Sequence, residues 1–146
     1  MSYTVSASDP DDQASALTVT CAPRSGSTFP LGAHASTRTK TVSCTAHDPA
    51  GNPSTPMSFT VTVLGAHDQL RELETEVSQG RALAAASRTS LLTKLHQVDR
   101  LILGHAPGGA QAQLGSFIAA AARSKTPPAT RRAWTRDAAR IIAILD

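Results

Sequence analysis

Up to about residue 64, apolar and polar positions alternate one for one; beyond it they recur every three to four residues. Alternation marks a half-buried strand, and the longer spacing marks an amphipathic helix. Leu17, Val19 and Cys21 alternate with Thr18 and Thr20. Val42, Cys44 and Ala46 alternate with Thr41, Ser43 and Thr45, and Met57, Phe59, Val61 and Val63 with Ser58, Thr60 and Thr62. These runs predict strands over 16–22, 41–46 and 56–64, all with the apolar set facing inward. Tyr3, Val5 and Ala7 predict a shorter strand before them. Asp9-Pro10-Asp11-Asp12 and Asp48-Pro49-Ala50-Gly51-Asn52 supply turns, with Gly51 or Asn52 able to take a positive φ. Residues 23–32 read as a loop anchored by Phe29 and Leu31, and 33–39 as a polar excursion or weak edge strand. Thr-rich antiparallel strands of this kind suit a two-sheet sandwich, although four are fewer than the roughly seven such a fold uses.

Past Gly65 the apolar stripes are helical. Leu70, Leu73 and Val77 predict a first helix with Asp68 as N-cap, and the pattern leaves open whether it runs through Gln79-Gly80 into 81–86. Leu91, Leu92, Leu95, Val98 and Ile102 predict a second, capped by Ser87 or Thr89 and ended by Gly104. Leu114, Phe117, Ile118 and Ala121 predict a third after a Pro107-Gly108-Gly109 break. Trp134, Ala138, Ile141, Ile142 and Leu145 predict a fourth after Thr126-Pro127-Pro128. The expected architecture is therefore mixed: an incomplete antiparallel β-sandwich over residues 1–64, then a small all-α four-helix bundle over residues 65–146.

Charge sharpens that division. In residues 1–64, Asp9, Asp11, Asp12 and Asp48 stand against Arg24, Arg38 and Lys40, a net of −1. Residues 65–146 hold eleven Lys or Arg and seven Asp or Glu, a net of +4, in a background of Ala and Leu. So mild a charge points to solvated helix faces rather than to nucleic acid, and aromatic residues at 3% leave few rings for base stacking. Arg132, Arg136 and Arg140 share one face of the last helix, a candidate docking face for an acidic partner or polymer; the alternative is an ordinary exposed basic face. No run approaches the ~20 apolar residues of a membrane span, and Met1–Pro10 lacks the basic start and apolar run of a signal peptide.

Cys21 and Cys44, 23 positions apart, both fall on inward strand positions. An inter-strand disulfide is expected, with Cα atoms inside the ~4.4–6.8 Å window. In the chain-entropy view it would stabilise by roughly 3 kcal/mol; two buried thiols are the alternative. Two cysteines without a neighbouring His or Cys at ligand spacing do not suggest zinc. Asp9, Asp11, Asp12 and Asp48 offer oxygens suited to Ca²⁺ or simply form turns, and no complete calcium loop is present. His34, His47, His67, His96 and His105 are scattered and assemble no Ser–His–Asp or two-His pattern. No catalytic residue, cofactor or metal site is expected.

The run Cys21-Ala22-Pro23-Arg24-Ser25-Gly26-Ser27-Thr28-Phe29-Pro30-Leu31-Gly32 resembles the signature loop of the hyalin repeat, or HYR, domain. Thr41-Val42-Ser43-Cys44-Thr45-Ala46-His47-Asp48-Pro49-Ala50-Gly51-Asn52 and Ser58-Phe59-Thr60-Val61-Thr62-Val63 follow in the family's order. The resemblance covers residues 3–64 and implies an immunoglobulin-like β-sandwich of extracellular proteins, associated with adhesion and with no catalytic residues. Three departures stand out. The opening strand is missing, 33–40 is longer than the usual link, and Met57 stands where many repeats carry another cysteine. A missing strand would leave an unpaired sheet edge. Residues 66–146 resemble a helical domain, FIMAH, that closes some secreted bacterial proteins. That likeness rests on Ser90-Leu91-Leu92 with Lys94-Leu95, then Leu114-Gly115-Ser116-Phe117-Ile118, then Ala138, Ile141, Ile142 and Leu145. Together these imply a non-catalytic adhesion or interaction module, secreted or at the cell surface, within a larger multidomain bacterial protein. Its partner would be a protein or a surface polymer. The alternative is an accessory tail of a secreted hydrolase whose catalytic domain lies outside this chain.

Overall fold

The computed structural model describes residues 1–31 and 36–145. The chain divides into two compact units, residues 1–30 with 38–63, and residues 31–37 with 64–146.

The first unit is built on a three-stranded antiparallel sheet of β1 (Thr18–Ala22), β2 (Arg38–His47) and β3 (Met57–Val63), in the order β1-β2-β3. The register pairs Cys21 with Cys44 on one side of β2, and Arg38 with Val63 through to Cys44 with Met57 on the other. Because side chains alternate across a pleated strand, this register sorts the sheet by face. Thr18, Thr20, Thr39, Thr41, Ser43, Ser58, Thr60 and Thr62 stand on one face. Val42, Cys44 and Val61 are buried on the other, with Val19, Cys21, Val63, Tyr3 and Phe29 packed around them. Cys21 and Cys44 form the expected disulfide. Their Cα atoms are 4.1 Å apart, closer than the expected window, because the two residues face each other directly across adjacent antiparallel strands.

Two expectations fail here. Tyr3–Ala7 forms no strand. Its polar groups go instead to the 24–27 turn: the Tyr3 amide donates to Ser25 Oγ at 3.0 Å, and that hydroxyl donates back to the Tyr3 carbonyl at 2.8 Å. The Met1 carbonyl accepts from the Gly26 amide at 2.9 Å, and the terminal ammonium donates to the Ser27 carbonyl at 3.0 Å. Residues 10–12 bend and 14–16 make a short 3₁₀ turn. The third expected strand, 41–46, is longer at its start, reaching back to Arg38 to pair with Val63. The expected polar excursion over 33–39 lies partly outside the described residues, as does His34.

The second unit is four helices: α1 (Ala66–Gln79), α2 (Ala85–Leu103), α3 (Pro107–Arg123) and α4 (Pro128–Leu145). α1 packs on α2 and α4, and α3 on the same two, as in a four-helix bundle. The predicted stripes form its core: Leu70, Leu73, Val77, Leu91, Leu95, Val98, Leu114, Phe117, Trp134 and Ile141 are all buried. Helix α1 stops at Gln79 because Gly80 turns the chain, and Arg88 Nη2 then ties that turn by donating to the Gly80 carbonyl at 2.8 Å. A Cβ on Gly80 would sit 3.2 Å from the Val77 carbonyl oxygen and 3.3 Å from the Trp134 ring, a tight fit. Three end signals differ from expectation. Gly65, not Asp68, is the N-cap of α1, while α2 starts at Ala85 without a side-chain cap. Pro107-Gly108-Gly109 is the first turn of α3 rather than a break before it. Proline suits that position because it lacks only an amide hydrogen that a first turn leaves unbonded anyway.

Candidate interaction surfaces

In the sheet unit the inward apolar row is not fully covered. Val42 and Val61 are closed off, but Phe59 is 37% and Met57 74% exposed, and Val5 also lies open. The expectation that Met57 and Phe59 face a core fails because the described residues form one sheet, with no second sheet opposite it. Cover comes from two loops instead. Tyr3 meets Phe59 edge-on at 5.1 Å between ring centres, and its hydroxyl donates to the Pro23 carbonyl. Phe29 packs from the 23–31 loop.

The aspartates here serve their own turns. Asp9 Oδ1 accepts from the Asp11 amide at 2.9 Å. Asp48 accepts from the Asn52 amide and from Asn52 Nδ2, both at 2.7 Å, and these bonds from Asn52 hold its carboxyl below the ordinary value of 3.8. Among the described residues no cluster of three or more His, Cys, Asp or Glu is arranged to hold a metal ion.

In the helical unit His67 and His96 meet carboxylates. His67 Nε2 lies 3.1 Å from Asp99 Oδ1, and its Nδ1 lies 3.5 Å from Asp68 Oδ1. The Thr37 hydroxyl donates to Asp68 and accepts from the Gly65 amide at 2.7 Å, so it ties the start of α1 rather than facing the imidazole. That bond, with His67 behind it, lowers the Asp68 pKa. His96 Nε2 is 3.8 Å from Glu74 Oε1, and Arg71 Nη1 is 3.2 Å from Glu74 Oε2. In these contacts each imidazole faces carboxylates. Sequence spacing missed this pairing because its partners lie on different helices, α1 and α2.

On α4, Arg132, Arg136 and Arg140 are exposed as expected. Asp137 interrupts their field, with Arg136 Nε 3.2 Å and Arg140 Nη1 4.0 Å from its Oδ1. Arg131 is turned away to the Ser124 carbonyl at 3.0 Å. The strip is thus partly neutralised by its own helix. No described helix is long and apolar enough to cross a membrane. Comparison with protein-family models, with curated proteins and with solved structures finds no match.

Proposed function

We propose that this chain is a non-catalytic interaction module of a modular bacterial protein, working at the cell surface or after secretion. On this reading residues 3–64 are a shortened HYR-like repeat of immunoglobulin-like ancestry, and residues 66–146 are a FIMAH-like helical companion. The observation that carries the reading is the Cys21–Cys44 disulfide, which clamps β1 to β2 across the small sheet core. Disulfides of this structural kind persist in oxidising compartments. The open Met57 and Phe59 side chains supply apolar contact area for a protein or surface-polymer partner.

The test is retention of the full, oxidised chain on isolated bacterial surface material. Saturable retention that Met57→Ser with Phe59→Ser reduces, without loss of the disulfide or of helical content, supports the reading. Retention no greater than that of an unrelated protein of equal charge overturns it, as does turnover of a surface polymer by the chain alone.

A further inference from the structure

Alternation puts Arg38 and Lys40 of β2 on the same face as Val42, Cys44 and Ala46, but past the covered core, where both cations are exposed. They lie about 7 Å apart along the strand. Across the register they face Val63 and Val61. Beside them is a cleft of about 390 Å³, walled by Pro23, Phe29, Pro30 and Val63 and lined by both cations. That volume is within the range of small-ligand sites.

Two of the sheet unit's three cations are gathered at this end. Among the described residues neither has a carboxylate within ion-pair distance. The unit's four aspartates are in turns, and Asp48 sits at the opposite end of β2. Residues 38–42 of β2 extend beyond the pairing with β1, and charges there would guard an open edge. Guarding accounts for the charges. It does not account for a cleft built beside them from two prolines and an aromatic ring.

We propose that this cleft binds a carboxylated saccharide, namely a hexuronic acid unit of an acidic surface polymer. The proposal deepens the interaction reading above and rests on it. The guanidinium of Arg38 offers the planar pair of donors that matches a carboxylate, and Lys40 adds a second charge beside it. Phe29, Pro23 and Pro30 form a stiff apolar wall for the C–H face of a sugar ring. Thr28, which also lines the cleft, brings a hydroxyl suited to sugar hydroxyls.

The experiment is a titration of the full oxidised chain with a hexuronate oligomer at low salt, followed by amide chemical shifts. Shifts should centre on residues 28–29, 38–40 and 63. Arg38→Gln or Lys40→Gln should weaken binding about tenfold or more, while Arg132→Gln leaves it unchanged. An oligomer whose carboxylates are reduced to alcohols should not bind, and oligoglutamate should bind at least tenfold more weakly. Equal binding of oligoglutamate overturns the saccharide assignment in favour of an acidic peptide. Affinity unchanged in Arg38→Gln and Lys40→Gln, each with its disulfide and spectrum intact, overturns the site. If the unsubstituted chain is retained on surface material but does not bind hexuronate, the cleft is refuted and the interaction reading stands; if it does neither, both are refuted.

Discussion

The two units of this chain hold themselves together by different means. Among the described residues the helical unit buries fifteen apolar residues in one cluster, among them Trp134, Phe117 and five leucines with almost no exposure. Those of the sheet unit bury Val42, Cys44 and Val61, and one of these three is half of the disulfide. Small domains bury too little surface to be secure on packing alone. The helices can rely on their core, whereas the sheet relies on a covalent clamp and on short bonds within its turns.

The most damaging single change should be in the helical core. Trp134→Ala removes a side chain only 1% exposed and should cost about 3–5 kcal/mol. Circular dichroism at the helical band should show the loss, while the Cys21–Cys44 bond still forms. Retention of full helical stability would mean that the indole is not the keystone its burial implies.

Replacing both Cys21 and Cys44 by Ala should cost the sheet unit about 3 kcal/mol. Amide shifts of 18–22, 38–47 and 57–63 should collapse or broaden while those of the helices stay in place. Gly51 has φ +90 in the turn between β2 and β3, with its amide bonded to the Asp48 carbonyl at 3.0 Å. Gly51→Ala should therefore cost about 1–2 kcal/mol, since a Cβ is strained in that conformation. Gly115, with open space around it in α3, offers the contrast: Gly115→Ala should stabilise the helices slightly.

The smallest effect is in acid. Asp48 in the sheet unit and Asp68 in the helical unit both have carboxyl pKa values lowered from 3.8, chiefly by bonds from Asn52 and from Thr37. A lowered folded-state value means that the stability each adds is full above the unfolded carboxylate value. It is lost as pH falls through the lower folded value. Asp48→Asn should remove that acid dependence from the sheet unit alone, and Thr37→Val should reduce it in the helical unit. Denaturation midpoints followed from pH 5 downward would show both.

The same difference explains how much was legible in the sequence. Helical stripes are dense and self-consistent, so Leu70–Val77, Leu91–Val98, Leu114–Ala121 and Trp134–Ile141 gave four helices and their core. The helix ends were obscure. Gly65 caps α1 with no side chain to announce it, and Pro107-Gly108-Gly109 has the composition of a loop but opens α3. In the sheet, alternation located three strands and the cysteine pair. It could not say that Tyr3–Ala7 would spend its backbone bonds on Ser25, or that Met57 would face no opposing sheet. Both depend on what lies across the face, which no local pattern records. Arg38 and Lys40 were visible as charges, but their place on the core-side row of the sheet, exposed beyond its covered part, depends on β2 starting at Arg38.

The sheet unit should depend on its disulfide and the helical unit should not. Hydrogen exchange of the full chain, with and without a thiol reductant, tests it residue by residue. On this account reduction lowers protection throughout β1, β2 and β3 by about a hundredfold, the equivalent of roughly 3 kcal/mol, and leaves α1–α4 unchanged. Protection in the strands that survives reduction, or that falls equally in strands and helices, would contradict it.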